Sequence, residues 1–169
     1  MRAKTMIPSY DELYASAPQE IKDYIDKCNE TPQGTDWHPE GNVGIHNRLV
    51  YDRATEYGDI NIAMAAFFHD LGKATTTAVN KKGGYSAYGH ERVSANLVDR
   101  HRAWVGSTGA KFMRVKEIVD NHMKIKLMDK MRPVKQRALK DLKSYPELQK
   151  FTLCDDMKTL TDEELNRYK

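Results

Sequence analysis

The chain reads as an all-α protein. Three observations predict this. Apolar residues recur at helical spacing through most of the 169 residues, no stretch alternates apolar and polar side chains as a half-buried strand would, and Pro, Gly, Ser and Asn fall where helices would begin and end. With 40% hydrophobic and 30% charged residues, the length suits one domain around one core, so residues 1–169 are read as a single-domain helical bundle. No apolar run reaches membrane-spanning length, and residues 1–12 lack the apolar centre of a signal peptide. Two cysteines, Cys28 and Cys154, make neither a disulfide framework nor a metal-type spacing, which points to a cytoplasmic protein.

The elements follow in order. Ser16 as a hydroxyl cap, Pro18 in the first turn and Glu20 near the positive end open an N-terminal helix whose stripe is Ile21, Tyr24 and Ile25, within a helical stretch 9–28 packed on a core spanning 37–165. Residues 31–42 are loop. From Ile45, His46, Leu49, Val50, Arg53 and Ala54 share one face, so His46 points inward. Residues 60–71 form a strongly apolar helix running into His69 and Asp70, with Gly72 allowing the chain to turn just beyond. Residues 73–87 read as a polar loop suited to a lid. Residues 88–91 open the next helix, with Val93, Leu97 and Trp104 on one side. Ser107 and Thr108 are candidate caps for a helix that carries Val115, Ile118, Val119 and His122 on its stripe. Pro133 permits another start, and Ser144, Pro146 and Glu147 mark the last helix.

A core does not end in an imidazole beside a carboxylate without a partner, because burying an unpaired charge costs several kcal/mol. The inward-facing candidates are His46, His69, Asp70, His90, His122 and an acid of the Asp155–Asp156 pair. Imidazole and carboxylate together suit a divalent cation such as Zn, Mn, Fe, Co, Ni or Mg. Four of these groups could hold one ion, and the two further histidines could complete a second. Leu148, Phe151 and Asp155 fall at i, i+3 and i+7, which favours Asp155 over Asp156 as the inward acid. His38 reads as a loop residue and His101, between two arginines, as surface.

His46 followed by His69-Asp70 and a distant Asp resembles the HD-domain metal-dependent phosphohydrolase superfamily. The stretches HPEGNVGIHN (38–47), HDLGK (69–73), GHE (89–91) and NHMK (121–124) are similar to the HD domain attached to bacterial CCA-adding tRNA nucleotidyltransferases. The resemblance spans roughly residues 37–158 and includes no nucleotidyltransferase domain. It implies an all-helical fold in which His46, His69, Asp70 and the last Asp bind a catalytic metal. Leu-Cys-Asp against the usual Leu-Ala-Asp makes that last acid Asp155, whereas a second alignment makes it Asp156. His90 and His122 match positions that hold a second metal in dinuclear members and contact substrate in mononuclear ones.

The implied chemistry is attack of a metal-activated water on phosphorus. Asp70 would then be ligand or bridge, Lys73 and His122 would stabilise the developing charge, and Lys73, His90, His122, Lys124 and Lys126 would contact substrate. The net charge of +3 does not mark a nucleic-acid binder, but residues 124–143 hold eight Lys or Arg against two acids and could rim a site for anions as well as form a solvated helix face. That run lacks the interleaved aromatics that track a single strand. The expected partner is a small phosphorylated substrate such as a nucleotide, with an RNA end as a further possibility, and no membrane. Two other readings stay open: a mixed-valent di-iron oxygenase, and a non-catalytic nucleotide or RNA-end binding module.

Overall fold

In the computed structural model, which describes residues 7–168, α4 (Ile60–Phe68) forms the centre of the molecule. Ile62 through Phe68 are all fully buried, as expected of a helix apolar on every side. Asp59 caps it, its side chain accepting from the N–H groups of Asn61 and Ile62. The helix α3 (Val43–Thr55), capped by Asn42, packs along one side, and α8 (Phe112–Asn121) along another. The helix α10 (Tyr145–Asp155) lies across all three, and α6 (His90–Arg100) packs on α8. The fold is all-α: the strands among the described residues are a two-residue pair. Among the described residues no helix is long and apolar enough to cross a membrane. The reading of residues 1–12 falls partly outside the described residues, as does Lys169.

Several local expectations need correction. The stretch 9–28 is two helices, α1 (Tyr10–Ser16) and α2 (Gln19–Cys28). Ala17 is extended because the residue before a proline is pushed out of the helical region. Ser16 is no cap: its hydroxyl donates back to the Leu13 carbonyl. The helix containing the apolar run ends at Phe68 rather than at residue 71, with His69 closing it. The stretch 73–87 is not simply loop. It holds α5 (Lys73–Thr76) and an antiparallel hairpin of β1 (Ala78–Val79) and β2 (Tyr85–Ser86), whose turn is tied by the Asn80 side chain accepting from the N–H groups of Lys82 and Gly84.

Trp104 lies on a separate short helix, α7 (Arg102–Ser107), and neither Ser107 nor Thr108 caps α8, where Lys111 stands at the cap. After α9 (Pro133–Lys140) and α10, a 3₁₀ turn (Met157–Thr159) leads to a further helix, α11 (Asp162–Arg167), so α10 is not the last. Ser144 precedes α10 without capping it through its side chain, since its hydroxyl donates to Glu117 at 2.6 Å. His101 is partly buried, its Nε2 2.6 Å from Glu20.

Gly72 has φ −59°, a value open to any residue, so the turn does not explain it. The reason is a close approach. A Cβ there would sit 2.2 Å from the His90 carbonyl oxygen, and the Gly72 N–H donates to Ser94 Oγ at 2.8 Å. The glycine lets the start of α6 lie against the chain that follows His69 and Asp70.

Candidate metal centre

The ends of five helices meet at one buried point. His46 comes from the first turn of α3, His69 and Asp70 from the end of α4, His90 from the start of α6, His122 from the end of α8 and Asp155 from the last residue of α10. All six are buried. His46 Nε2 lies 2.9 Å from Asp155 Oδ1, 3.3 Å from Asp70 Oδ2 and 3.3 Å from His69 Nε2. On the other side of the same carboxylate, Asp70 Oδ1 is 3.1 Å from His90 Nε2 and 3.5 Å from His122 Nε2, and those two nitrogens are 3.2 Å apart. Asp70 thus offers one oxygen to each of two groups that could hold an ion.

The ring tautomers argue for a cation. His69, His90 and His122 each have Nδ1 within 2.9 Å of a backbone carbonyl, those of Ala66, Ala87 and Val119. A carbonyl only accepts, so each Nδ1 carries a proton, and each Nε2 faces the centre with either a lone pair or a second proton. Nε2 atoms 3.2–3.3 Å apart repel unless a positive charge, a proton or a metal ion, lies between them. The donor set fits a divalent ion on imidazole and carboxylate, with the outer ring nitrogens held as a metal site requires.

The electrostatics agree. Burial works against charged carboxylates, yet the facing histidines, with Lys73 at Asp70 and Lys126 at Asp155, hold both acids well below their ordinary range. Burial also works against a charged His69, but Asp70 and Asp155 overturn it and raise its pKa to about 9. His46 is raised as well, despite its burial, by Asp155 and Glu40. At His122 burial wins and the pKa is lowered. The site is built to attract positive charge.

Of the other expected residues, Lys73 Nζ is 3.1 Å from Asp70 Oδ2 and 2.9 Å from Gln33 Oε1. Lys126 Nζ is 2.8 Å from Asp155 Oδ2. Asp156 turns away to cap the next turn at the Lys158 N–H, and Lys124 lines a separate cavity with Met131 and Lys135. Two residues escaped the sequence reading. Glu40, buried, receives His46 Nδ1 at 3.0 Å and His38 Nδ1 at 2.9 Å, so His38 is tied to the centre through it. Phe151 stacks edgewise on His69 and His122. The signal for Glu40 was present in the stretch 38–41, where an acid sits two residues from a histidine. A cavity of about 400 Å³ opens beside the centre, with Lys73, His90, His38, Gln33, Tyr85 and Tyr88 among its walls.

The profile of the HD domain family matches residues 43–160, more than two-thirds of the chain. The chain belongs to the HD domain family. This HD domain is also similar to Multifunctional CCA proteins. Those of Burkholderia mallei (strain SAVP1) and Burkholderia pseudomallei (strain K96243) are each 46% identical over 55 residues, covering 32% of this chain and 13% of theirs. That of Burkholderia vietnamiensis (strain G4 / LMG 22486) is 44% identical over the same length. The chain therefore aligns with only about one-eighth of these relatives' length. No solved structure matches this HD domain.

Proposed function

We propose that this HD domain is a divalent-metal-dependent phosphohydrolase, a phosphatase or phosphodiesterase acting on nucleotides or nucleotide-like phosphoesters. The observation that carries the reading is the meeting of four imidazole Nε2 atoms and two carboxylates at one buried point, beside a cavity that Lys73 and His90 also line. A divalent cation held by His46, His69, Asp70 and Asp155 would supply Lewis-acid polarisation of a phosphoryl oxygen and a water activated near neutral pH. Its identity is left open among Mn, Co, Ni, Mg, Fe and Zn. A second ion would share Asp70 with His90 and His122.

The chain's own side chains carry the rest. Asp70 and Asp155 balance the positive charge of the centre. Lys73, on the cavity wall and anchored by Gln33, offers its ammonium to phosphate oxygens as charge builds on them. His90 and His122, where they are not ligands, face the same oxygens and would donate to them from Nε2 only as imidazolium ions. The cavity volume falls within the range of small-ligand sites, and Tyr85 and Tyr88 on its wall give a nucleobase a ring to rest on. The partial likeness to Multifunctional CCA proteins supports a nucleotide or an RNA end as substrate. A cytoplasmic location suits the two buried free thiols, Cys28 and Cys154.

The sharing of Asp70 between two groups also favours a second reading, a mixed-valent di-iron oxygenase. One screen separates the possibilities: nucleotides and phosphoesters against Mn, Co, Ni, Mg, Fe and Zn, with His69→Ala and Asp70→Ala as controls. Phosphate release by the parent that both variants lose is the expected result. Equal hydrolysis by the variants sinks the reading. Oxygen uptake with iron and no phosphate release supports the oxygenase, and tight nucleotide retention without turnover supports a binding module.

A further inference from the structure

The segment 124–143 carries a net +6 in a chain whose total is +3, which leaves the remainder at −3. It forms a 3₁₀ turn (Ile125–Lys130), α9 and the approach to α10. All eight of its Lys and Arg side chains are exposed, and among the described residues only Lys126 has a carboxylate within 4 Å. The segment is thinly anchored: the 3₁₀ turn buries no residue and α9 buries only Leu139. Folding alone gives no reason to gather seven unpaired cations on so light a frame, since they repel one another. The frame is also continuous with the catalytic side. Lys126 Nζ reaches Asp155 at 2.8 Å and Met123 Sδ at 4.0 Å, and Met123 is itself a wall of the cavity beside His90.

We infer that this basic segment is a docking surface for the phosphodiester backbone of a single-stranded nucleic acid whose end enters the cavity. Lys130, Arg132, Lys135 and Arg137 contact successive phosphates without reading sequence, because the surface supplies charge and little else. The strand is single because the cavity, about 400 Å³, takes one small ligand and not a base pair. Tyr88, 88% exposed at the cavity wall, supplies the aromatic face that the basic segment itself lacks. The inference depends on the phosphohydrolase reading only for what happens to the strand's end; backbone docking stands apart from it.

The test uses fluorescein-labelled 12-nucleotide single strands, one RNA and one DNA, titrated with the whole chain and followed by fluorescence anisotropy from 50 to 200 mM salt. Binding of at least one strand is expected, weakening as salt rises. The triple variant Lys130→Ala, Lys135→Ala, Arg137→Ala should bind at least ten-fold more weakly, with its log–log salt slope reduced by about 2, near 0.7 for each phosphate that is no longer neutralised. A control triple outside the segment, Lys27→Ala, Lys150→Ala, Lys158→Ala, should bind within two-fold of the parent. Far-ultraviolet circular dichroism shows whether each variant is folded, and hydrolysis of a small phosphoester should be the same in all three proteins. The docking surface is overturned if neither strand binds at 50 mM salt, or if the two triples weaken binding equally. Preferential binding to phosphatidylserine vesicles, uncompeted by either strand, overturns it in favour of a membrane. Strand binding without small-ester hydrolysis keeps the surface and removes the enzyme.

Discussion

Glu40 and His46 share a buried hydrogen bond, Oε1 to Nδ1 at 3.0 Å, and the same oxygen accepts from His38 at 2.9 Å. Burial alone would raise the Glu40 pKa, but the two imidazoles hold it down at about 2, so it is charged throughout the neutral range. A carboxylate on the outer nitrogen fixes the ring and makes Nε2 a better donor. Glu40→Ala should therefore weaken divalent-metal binding by about 10- to 100-fold, and Glu40→Gln by less, since an amide oxygen still accepts. Calorimetric titration of the metal-free protein with Mn measures both. Unchanged affinity in Glu40→Ala removes Glu40 from the support of the centre.

A metal that bridges these helix ends should stabilise the whole fold. At a free concentration 100 times Kd, a ligand that binds only the folded state adds about 2.7 kcal/mol. For a chain of this size that is roughly 5–10 °C in Tm. Asp70→Ala, which takes one ligand from each of the two groups, should show no such rise in a thermal melt with added Mn or Co. A rise equal to the parent's places the ion elsewhere.

Gly72→Ala tests the packing that brings His90 to Asp70. The added methyl would meet the His90 carbonyl oxygen at 2.2 Å and Val93 Cβ at 2.9 Å, both parts of α6 rather than the tip of a pliant side chain. Overpacking of this kind costs about 1–3 kcal/mol. Urea unfolding should show that loss, and metal affinity should fall with it as α6 is pushed outward. A variant as stable as the parent would mean that α6 moves freely.

The Arg53–Glu164 pair predicts a loss of stability in acid. Arg53 Nε and Nη2 meet Glu164 at 2.6 and 2.8 Å, while Nη1 donates to the carbonyls of Cys154 and Asp156, so the pair clamps the end of α10 to α3. The hydrogen bonds from Arg53 lower the Glu164 pKa from 4.5 to about 2. A carboxylate depressed by folding contributes stability above its unfolded value, and that contribution is lost as pH falls from 4.5 towards 2. Glu164→Gln should cost about 1–2 kcal/mol at pH 7. In urea melts the gap between variant and parent should narrow below pH 4.5 and close only near pH 2. A constant gap across pH would show that the charge is irrelevant.

The fold class follows from the chain alone, because the 3.6-residue period of apolar side chains and the all-apolar run before His69 leave no other way to bury them. The same stripes mark which histidines face inward, since His46 and His122 lie beside Leu49, Val50, Ile118 and Val119. Position along one helix says nothing of what comes from another, however. The two groups around Asp70, the seating of Lys124 in a separate cavity and the seat of Glu40 under His46 emerge only once the helices are packed, whereas the helical stripe already favours Asp155 over Asp156. The reason is physical: those relationships join residues up to 109 positions apart, through helix ends whose mutual placement depends on packing, including the contact that Gly72 permits.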